Sequence, residues 1–404
     1  MTSLRISEWR KLPISLKELC IDTTLRCGQS FRWRKLENEG WTCTLHGQIL
    51  SLKQDESGLQ YRSMRPNISS SLDQKVQVTN AVIDDQNELE ETERLLKHYL
   101  NLEPNLSALY EQWSSVDPNF KKRAPRFTGI RILKQDAWEA LIGFICSSNN
   151  NIVRISQMVH NLCLHYGPLI GHVNSQPFHD FPTPESLTGP TVESHLRELG
   201  FGYRARYIAR TATIVAKEKP EGWLQSLCNN DDSPDQKLPP GGREGYRRAH
   251  EELLNLQGVG PKVADCVCLM GLGWGESVPV DTHVWQFAQR DYKFGKGKHK
   301  SLTKATYDAV GDHFRQLWGI EAGWAHSVLF AADLKTFSDK VATKVEIKVD
   351  EIKVKEEGET ILDLKTVLKR EYQVGVIKDE VEEEKTKELA KDSPRASRAK
   401  RRKL

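Results

Sequence analysis

A glycine turn between two helical patterns constrains the fold of this chain more than any other feature. Residues 247–256 (RRAHEELLNL) and residues 263–270 (VADCVCLM) each carry apolar side chains at helical spacing. Between them lies the turn GVG, which glycine makes most easily because it tolerates positive φ. The backbone N–H groups of such a turn, with the positive end of the second helix, can hold an anion such as a DNA phosphate. The sequence therefore predicts a helix–hairpin–helix unit that contacts nucleic acid through Gly258 and Gly260.

Two polar residues near this hairpin are candidates for chemistry. Lys262 stands two residues after the second hairpin glycine, and Asp281 follows an extended Val-Pro-Val stretch and opens another amphipathic helix. Taken singly, each has a common structural role, a solvated helix start for Lys262 and an N-cap for Asp281. Taken together beside a phosphate-binding turn, they indicate an amine nucleophile next to a carboxylate.

Short β-forming segments define the first of three predicted regions. Strands are expected over residues 31–33, 41–45 and 49–52, followed by a polar surface insertion over 69–88 and a helix over 89–102. We therefore expect residues 1–118 to form an N-terminal domain built on an antiparallel twisted β-sheet.

Helical patterns joined by short polar or glycine turns fill the second region. Helices are expected over residues 137–145, 152–166, 182–199 and 203–217, besides the hairpin pair. We expect residues 119–338 to form an all-α helix–hairpin–helix core, which makes the fold class α+β.

The third region, residues 339–404, is rich in charge and almost without aromatic residues, so we expect it to be disordered. Its basic cluster over residues 395–403 is typical of a nuclear import signal. The predicted location is the nucleus, and the basic residues of the N-terminal segment leave a mitochondrial pool open.

Composition excludes several classes of protein. No apolar run approaches the length of a membrane span, so no membrane association is expected. The eight cysteines are scattered without the spacing of metal ligands, which favours a reducing compartment and predicts neither metal nor cofactor. A net charge of +3 means that a nucleic-acid surface must be a local patch.

The segments LLNLQGVGPKVADCVCLM and VPVDTHVWQFAQRDY strongly resemble the helix–hairpin–helix DNA glycosylases, and within them the eukaryotic 8-oxoguanine DNA glycosylases. Further similar segments follow the same order and are GQSFRW (28–33), FICSSNNNIVRI (144–155), LGFGYRARYI (199–208) and AGWAHSVLFAADL (322–334). The likeness covers residues 20 to 335 and leaves out the C-terminal region.

The resemblance implies a monomeric, bifunctional DNA N-glycosylase and AP lyase of base excision repair. Its partner would be double-stranded DNA containing 8-oxoguanine, or ring-opened formamidopyrimidine guanine, opposite cytosine. Lys262 would attack the sugar C1′ and form a Schiff base, and Asp281 would stabilise positive charge on the sugar and assist proton movement.

The resemblance also implies roles around a base that has left the duplex. Cys266 and Phe330 would sandwich the base, and the carbonyl of Gly28 would accept a hydrogen bond from the N7–H that oxidised guanine has and guanine lacks. His326 stands where the family commonly has a Gln that reads the Watson–Crick edge.

The remaining implied roles concern the duplex. Asn149 would fill the vacated stack, and Arg154 and Arg204 would read the orphan cytosine. Tyr203 would wedge beside that cytosine, and His283 would contact a phosphate.

Two other readings stay open. His326 is compatible with a glycosylase of shifted lesion specificity, and the hairpin alone is compatible with a non-catalytic DNA-binding scaffold. The pairing of Lys262 with Asp281 argues against the scaffold, because binding alone needs neither. The four-cysteine iron–sulfur pattern of some related branches does not follow the Asp281 helix.

Overall fold

A computed structural model of the chain describes residues 3–67, 77–230, 238–295 and 301–334. The described residues all lie within one compact unit, Met1–Ser338. The predicted disordered region and its basic cluster lie outside the described residues. The division of this unit at residue 118 remains a prediction.

An antiparallel sheet forms the N-terminal part. Its strands are β1 (Leu4–Ile6), β2 (Arg10–Leu12), β3 (Arg34–Leu36), β4 (Gly40–Leu45), β5 (Gln48–Asp55) and β6 (Gly58–Pro66), with the short helix α1 (Ile21–Thr24) between β2 and β3. Their order is β1-β6-β5-β4-β3, and β2 also pairs with β6. The predicted sheet is confirmed, although the strand expected over 31–33 begins at Arg34.

Helices make up most of the remainder. They are α2 (Gln77–Tyr99), α3 (Leu106–Val116), α4 (Pro118–Arg123), α5 (Ala137–Ser147), α6 (Ile152–Tyr166), α7 (Val192–Glu198), α8 (Arg204–Thr213), α9 (Trp223–Ser226), α10 (Glu244–Leu254), α11 (Pro261–Met270), α12 (Thr282–Tyr292), α13 (Lys304–Trp318) and α14 (Ala322–Asp333). The α+β fold class is therefore confirmed.

Helix α2 is longer than its apolar pattern indicates. It begins at Gln77, so the polar segment expected to be a surface insertion is partly helical, and residues 68–76 lie outside the described residues. At its C-terminal end Leu96, Tyr99 and Leu100 pack against the buried face of the sheet. That contact gives the N-terminal part its core.

The predicted helices of the second region vary in accuracy. Those over 137–145 and 152–166 are confirmed as α5 and α6, and the one over 203–217 is α8 followed by a π-helical segment, Ile214–Glu218. The helix expected over 182–199 is wrong in its first half. That half contains only the 3₁₀ turn Glu185–Leu187, because Pro184 and Pro190 interrupt the chain.

A β-hairpin absent from the prediction lies inside the helical region. Its strands are β7 (Leu169–Val173) and β8 (Gln176–His179), joined by Asn174 and Ser175, whose φ angles are 50° and 63°. Apolar residues of the hairpin and of the N-terminal sheet share a small core, consisting of Ile49, Met64, Ile170, Val173 and Phe178. The hairpin therefore ties the helical region to the sheet.

The hairpin pair α10 and α11 packs in the main core, where α11 also lies against α5. Helix α5 is buried over nearly its whole length, since its residues are mostly apolar and its buried Glu139 pairs with Arg32. This packing brings the N-terminal end of α11 beside the C-terminal end of α5. It thereby sets the position of Lys262.

Within the described ranges, no helix is long and apolar enough to cross a membrane. All eight cysteines are unpaired thiols, and six of them are buried. In the same ranges, no group of three or more His, Cys, Asp or Glu residues is placed to hold a metal ion.

Candidate active site and DNA-binding surface

A cavity beside the hairpin brings together residues from separate stretches of the chain. It measures about 440 Å³ with its open mouth. Its walls are formed by Cys27, Gly28, Gln29, Phe144, Lys262, Cys266, Met270, Pro279, Asp281, Val284, His326, Ser327 and Phe330. The two residues predicted to be catalytic and the four predicted to bind a base all line this one cavity.

Lys262 lies at the second position of α11, after Gly260 as the N-cap and Pro261. Its side chain is half-buried, and its Nζ atom lies 3.4 Å from the hydroxyl of Ser147 and 5.1 Å from the ring centroid of Phe144. Among the described residues it forms no ion pair with a carboxylate. The amine is therefore held by weak contacts rather than by a carboxylate.

Asp281 combines a structural position with a place in the cavity. Its Oδ1 atom accepts a hydrogen bond of 2.9 Å from the backbone N–H of Val284, so it caps α12. The extended stretch before it is anchored by Val278 and Val280, both buried. The side chain of Asp281 is half-buried and lines the cavity of Lys262.

Cys266 lies on α11 one turn after Lys262 and is buried. Burial raises the pKa of its thiol to about 11, which the nearby Lys262 partly opposes. The thiol is therefore neutral near pH 7 and presents a soft, polarizable surface to the cavity. Phe330 comes from α14 and is half-buried, with its ring centroid 6.4 Å from that of His326.

Gly28 occupies a position that suits only glycine. Its φ is +83°, and an added Cβ would lie 3.4 Å from the Cδ1 of Ile152. The next residue, Gln29, anchors this backbone because its Nε2 donates to the carbonyl of Arg131 at 2.7 Å and its Oε1 accepts from the N–H of Leu133 at 2.9 Å. The Gly28 peptide therefore lines the cavity in a fixed conformation.

His326 is the most unusual side chain of the cavity. It is 4% exposed, and within the described part of the chain neither ring nitrogen has a hydrogen-bond partner of good geometry. Burial lowers the pKa of the imidazole to about 4, although the charge of Asp281 and the Gly323 carbonyl oppose this shift. The ring is therefore neutral at pH 7, with one donor and one acceptor nitrogen. Leaving a buried polar group without a partner costs about 1–3 kcal/mol, so a hydrogen-bonding group that enters the cavity would be stabilised by these nitrogens.

The hairpin glycines have different reasons to be glycine. Gly258 has a φ of +80°, and an added Cβ would lie 2.6 Å from the ring of Tyr207. Gly260 has an ordinary φ of −102° and is exposed, and an added Cβ would meet nothing within 4 Å. The positive-φ argument is therefore correct for Gly258 and wrong for Gly260. The N-cap Gly260 has no side chain to cap α11, so the first N–H groups of the helix face the open side of the hairpin.

The turn at Asn149 is held by Arg204. Asn149 has a φ of +49°, and the guanidinium of Arg204 donates to its carbonyl at 3.0 Å and to that of Ser148. Arg204 is only 3% exposed, so here it supports the turn. The hydroxyl of Tyr203 donates to the same Ser148 carbonyl at 3.0 Å, while 47% of the Tyr203 residue stays exposed.

The other predicted DNA contacts lie at the surface. Arg154 is exposed near the start of α6, and its Nη2 atom lies 3.3 Å from the carbonyl of Gly200. His283 is exposed on the first turn of α12, with its ring 6.2 Å from that of Phe330 at the cavity. Contacts of these residues, and of Asn149, Tyr203 and Arg204, with DNA remain predictions.

Sequence reasoning missed several residues that line the cavity or contact Lys262 beside it. Phe144 and Ser147, which contact Lys262, stand in the segment FICSSNNNIVRI that carried the resemblance, so that segment held a usable signal. Met270 ends α11 and looks like an ordinary core residue. Nothing in its local pattern indicates a cavity.

Two family models match adjoining parts of the chain. Residues 11–141 match the N-terminal domain of 8-oxoguanine DNA glycosylase, and residues 142–310 match the HhH-GPD superfamily of base excision DNA repair proteins. Together they include every residue that lines the cavity except those of α14.

Curated relatives cover most of the chain. The N-glycosylase/DNA lyase of Saccharomyces cerevisiae is 38% identical in an alignment of 363 positions that covers 82% of this chain and 88% of that protein. The N-glycosylase/DNA lyase of Arabidopsis thaliana is 34% identical over 333 residues, which are 81% of this chain and 80% of that protein.

The fold is likewise shared with solved structures. The Clostridium acetobutylicum 8-oxoguanine glycosylase/lyase, in complex with double-stranded DNA containing cytosine opposite 8-oxoguanine, has a TM-score of 0.61 at 24% identity and covers 81% of this chain and 97% of its own. The 3-methyladenine DNA glycosylase of Archaeoglobus fulgidus has a TM-score of 0.56 at 19% identity. The match covers 81% of this chain and 98% of that glycosylase chain. With the cavity, the hairpin and the relatives in agreement, the chain belongs to the 8-oxoguanine DNA glycosylase family, the N-glycosylase/DNA lyases of base excision DNA repair.

Proposed function

We propose that this enzyme removes 8-oxoguanine paired with cytosine, and ring-opened formamidopyrimidine guanine, from double-stranded DNA and then cleaves the abasic strand. The observation that carries the proposal is the convergence of Lys262, Asp281, Gly28 and His326 on one cavity beside the α10–α11 hairpin. The C. acetobutylicum relative is recorded with 8-oxoguanine opposite cytosine, which supports the same substrate here.

Lys262 acts as the nucleophile in this proposal. Its uncharged amine bonds to C1′ of the sugar, the bond from C1′ to the base breaks, and the base leaves with a proton. Loss of the amine proton and opening of the sugar ring give a Schiff base. Removal of a C2′ proton then expels the 3′ phosphate, and water releases Lys262 from the product.

Asp281 assists each charged step. As the C1′ bond to the base breaks, positive charge develops on the sugar, and a fixed carboxylate stabilises that charge more than it stabilises the neutral substrate. The capping bond to the N–H of Val284 holds the side chain, so little reorganisation is needed at the moment of reaction. Lys262 therefore provides covalent catalysis, and Asp281 provides electrostatic stabilisation.

Discrimination against normal guanine rests on Gly28. A carbonyl at this position would accept a hydrogen bond from the N7–H of 8-oxoguanine, whereas guanine presents a lone pair at N7. Two acceptors facing each other in a buried site leave both unpaired, which costs about 1–3 kcal/mol. The rigid support of Gln29 makes this penalty hard to relieve.

The duplex is held by the hairpin and by the residues around Asn149. The uncapped start of α11 and the open face of Gly260 receive a phosphate, and His283 contacts another. Asn149 fills the space that the lesion leaves in the base stack, and Tyr203 inserts beside the unpaired cytosine. Arg154 and Arg204 contact the edge of that cytosine. In this proposal the enzyme works as a monomer without a cofactor.

An excision assay tests the proposal. Wild type should release 8-oxoguanine from an 8-oxoguanine:cytosine duplex and nick the strand, while Lys262→Gln should bind the same duplex and do neither. If Lys262→Gln retained full excision, the proposed mechanism would be wrong. Binding by wild type without any excision would favour a DNA-binding scaffold.

A second candidate function, excision of a different lesion, is favoured by His326. Its unpaired ring nitrogens offer one donor and one acceptor, whereas a Gln side chain offers two donors on nitrogen and one acceptor oxygen. A panel of oxidised, ring-opened and alkylated bases, each opposite all four bases, separates the two functions. Preference of wild type for another lesion, reversed by His326→Gln, would replace 8-oxoguanine as the substrate.

We further propose that the enzyme acts in the nucleus. A DNA repair activity requires access to DNA, and the basic residues 395–403 suit an import signal. Deleting that segment from a fluorescent fusion should abolish nuclear accumulation, and retention of the fusion in the nucleus would contradict this assignment.

A further inference from the structure

A buried carboxylate next to the cavity has no role in the mechanism above. Asp265 lies on α11 three residues after Lys262 and is 1% exposed. Its Oδ1 atom accepts from the hydroxyls of Tyr246 at 2.5 Å and Ser277 at 2.8 Å, and its Oδ2 atom accepts from the hydroxyl of Tyr307. Three hydroxyl groups from different parts of the chain therefore meet on one side chain of the helix that carries Lys262.

The hydroxyl of Tyr307 forms a second hydrogen bond, with the backbone. Within the described ranges, the hydroxyl of Tyr246 forms no such bond. While the Tyr307 hydroxyl donates to Asp265, its oxygen accepts from the backbone N–H of Val280 at 3.4 Å. Val280 immediately precedes Asp281. A path of two hydrogen bonds thus runs from the backbone beside one proposed catalytic residue to the helix that carries the other.

His250 supplies charge to the same site. Its Nε2 atom lies 3.7 Å from the Oδ2 of Asp265 and 3.3 Å from the carbonyl of Pro261. Burial favours the neutral form of each group, but the contact with Asp265 raises the pKa of His250, and His250 with the two tyrosines lowers the pKa of Asp265. An ionised carboxylate accepts from all of its donors at once.

We propose that Asp265 and Tyr307 are positioning residues that fix the Asp281 segment relative to Lys262. The inference rests on the proposed function, in which Lys262 and Asp281 form the catalytic pair. Their separation governs the chemical step, where a displacement of about 1 Å can cost about 10²-fold in rate. DNA affinity depends on the hairpin and on the residues around Asn149. A change in the separation of Lys262 and Asp281 should therefore leave the affinity unchanged.

The chain offers a matched pair of variants for the test. Tyr307→Phe and Tyr246→Phe each remove one hydroxyl that donates to Asp265, but only Tyr307→Phe also removes the acceptor of the Val280 N–H. Single-turnover excision is measured on an 8-oxoguanine:cytosine duplex. Affinity is measured on a duplex that carries a stable abasic analogue, and the melting temperature of each variant is recorded.

We expect Tyr307→Phe to lower the excision rate about tenfold or more while its affinity for the abasic duplex stays at the wild-type level. Tyr246→Phe should lower the melting temperature by a similar amount and keep an excision rate near wild type. Asp265→Asn, which keeps the side-chain shape, should reduce the rate at least as much as Tyr307→Phe.

Equal rate losses in Tyr307→Phe and Tyr246→Phe, or an unchanged rate in Tyr307→Phe, would overturn the inference. Lys262→Gln separates this failure from that of the proposed function. If Lys262→Gln is inactive while Tyr307→Phe excises at the wild-type rate, only the positioning role fails. If Lys262→Gln is fully active, the catalytic pair itself is wrong.

Discussion

The carboxylate of Asp281 accepts a hydrogen bond of 2.9 Å from the backbone N–H of Val284, and in this way one side chain both caps α12 and lines the cavity of Lys262. An N-cap and a catalytic carboxylate are often treated as competing explanations of the same residue. Here the cap orients the carboxylate, so the structural role supports the proposed chemical one.

Two substitutions separate these roles of Asp281. Asn is as good an N-cap as Asp, so Asp281→Asn should leave the free energy of unfolding nearly unchanged, whereas Asp281→Ala should lower it by about 1 kcal/mol. Both remove the negative charge and should reduce the excision rate by about 10²–10³-fold. Urea unfolding and single-turnover excision measure the two effects, and full activity of Asp281→Asn would show that its charge is not needed.

The hairpin can be tested without disturbing the fold. In Gly260→Ala the added methyl group meets nothing within 4 Å, and the loss from a poorer N-cap is offset by the reduced entropy of the unfolded chain. The free energy of unfolding should change by less than about 0.5 kcal/mol. Affinity for duplex DNA should fall about tenfold, because the methyl group occupies the approach of a phosphate.

Gly189→Ala is the control for this measurement, since Gly189 is exposed, lies outside the hairpin and has room for a methyl group beside Val192. Its DNA affinity should equal that of wild type. If Gly260→Ala also binds DNA at the wild-type level, the hairpin does not contact a phosphate at this position.

Arg154 and Arg204 should differ although both are assigned to the orphan cytosine. Arg154→Ala removes an exposed side chain, so the free energy of unfolding should stay within about 0.5 kcal/mol of wild type. Arg204→Ala removes the guanidinium that donates to the carbonyls of Ser148 and Asn149, and only the Ser148 carbonyl keeps a donor among the described residues, the Tyr203 hydroxyl, so the substitution should cost about 1–3 kcal/mol.

Each arginine variant should also relax the preference for cytosine over the other opposite bases, by about tenfold for the loss of one base-reading contact. Excision from duplexes with the four opposite bases measures this preference. An unchanged preference in Arg154→Ala would remove that residue from the cytosine site.

Much of this arrangement could be predicted from the sequence, because its signals are local. The turn at Gly258, the start of α11 beside Lys262 and the N-cap of α12 at Asp281 each depend on a few neighbouring residues. Alternation of β-forming residues and glycines likewise indicates strands β4 and β5.

The features that could not be predicted depend on distant contacts. Arg204 stands in a helical segment that looks solvated, and only the fold brings the carbonyls of the Asn149 turn over it. The four side chains around Asp265 come from α10, the stretch before Asp281 and α13, and none of them carries a local signature. The hairpin of β7 and β8 was missed because its strands are short and half-exposed.

His326 makes the stability of the enzyme depend on pH. Its pKa in the folded state is about 4, against an ordinary value of about 6.5, so the unfolded state binds more protons between these values. The free energy of unfolding that depends on a neutral His326 is fully present above pH 6.5. It is lost as the pH falls towards 4. The loss should reach about 2 kcal/mol by pH 5.

The pH dependence is measured by urea unfolding of wild type and His326→Gln at pH 7 and pH 5. Gln does not titrate, so the variant should lose less stability than wild type over this interval. Equal losses in the two proteins would mean that His326 is not held neutral by burial.

Covalent trapping tests the central claim most directly. The enzyme is incubated with an 8-oxoguanine:cytosine duplex and borohydride, which reduces a Schiff base to a stable amine, and the cross-linked peptide is identified by mass spectrometry. The account predicts a stoichiometric protein–DNA adduct attached to Lys262 and no adduct with Lys262→Gln. An adduct on another residue, or undiminished trapping by Lys262→Gln, would contradict it.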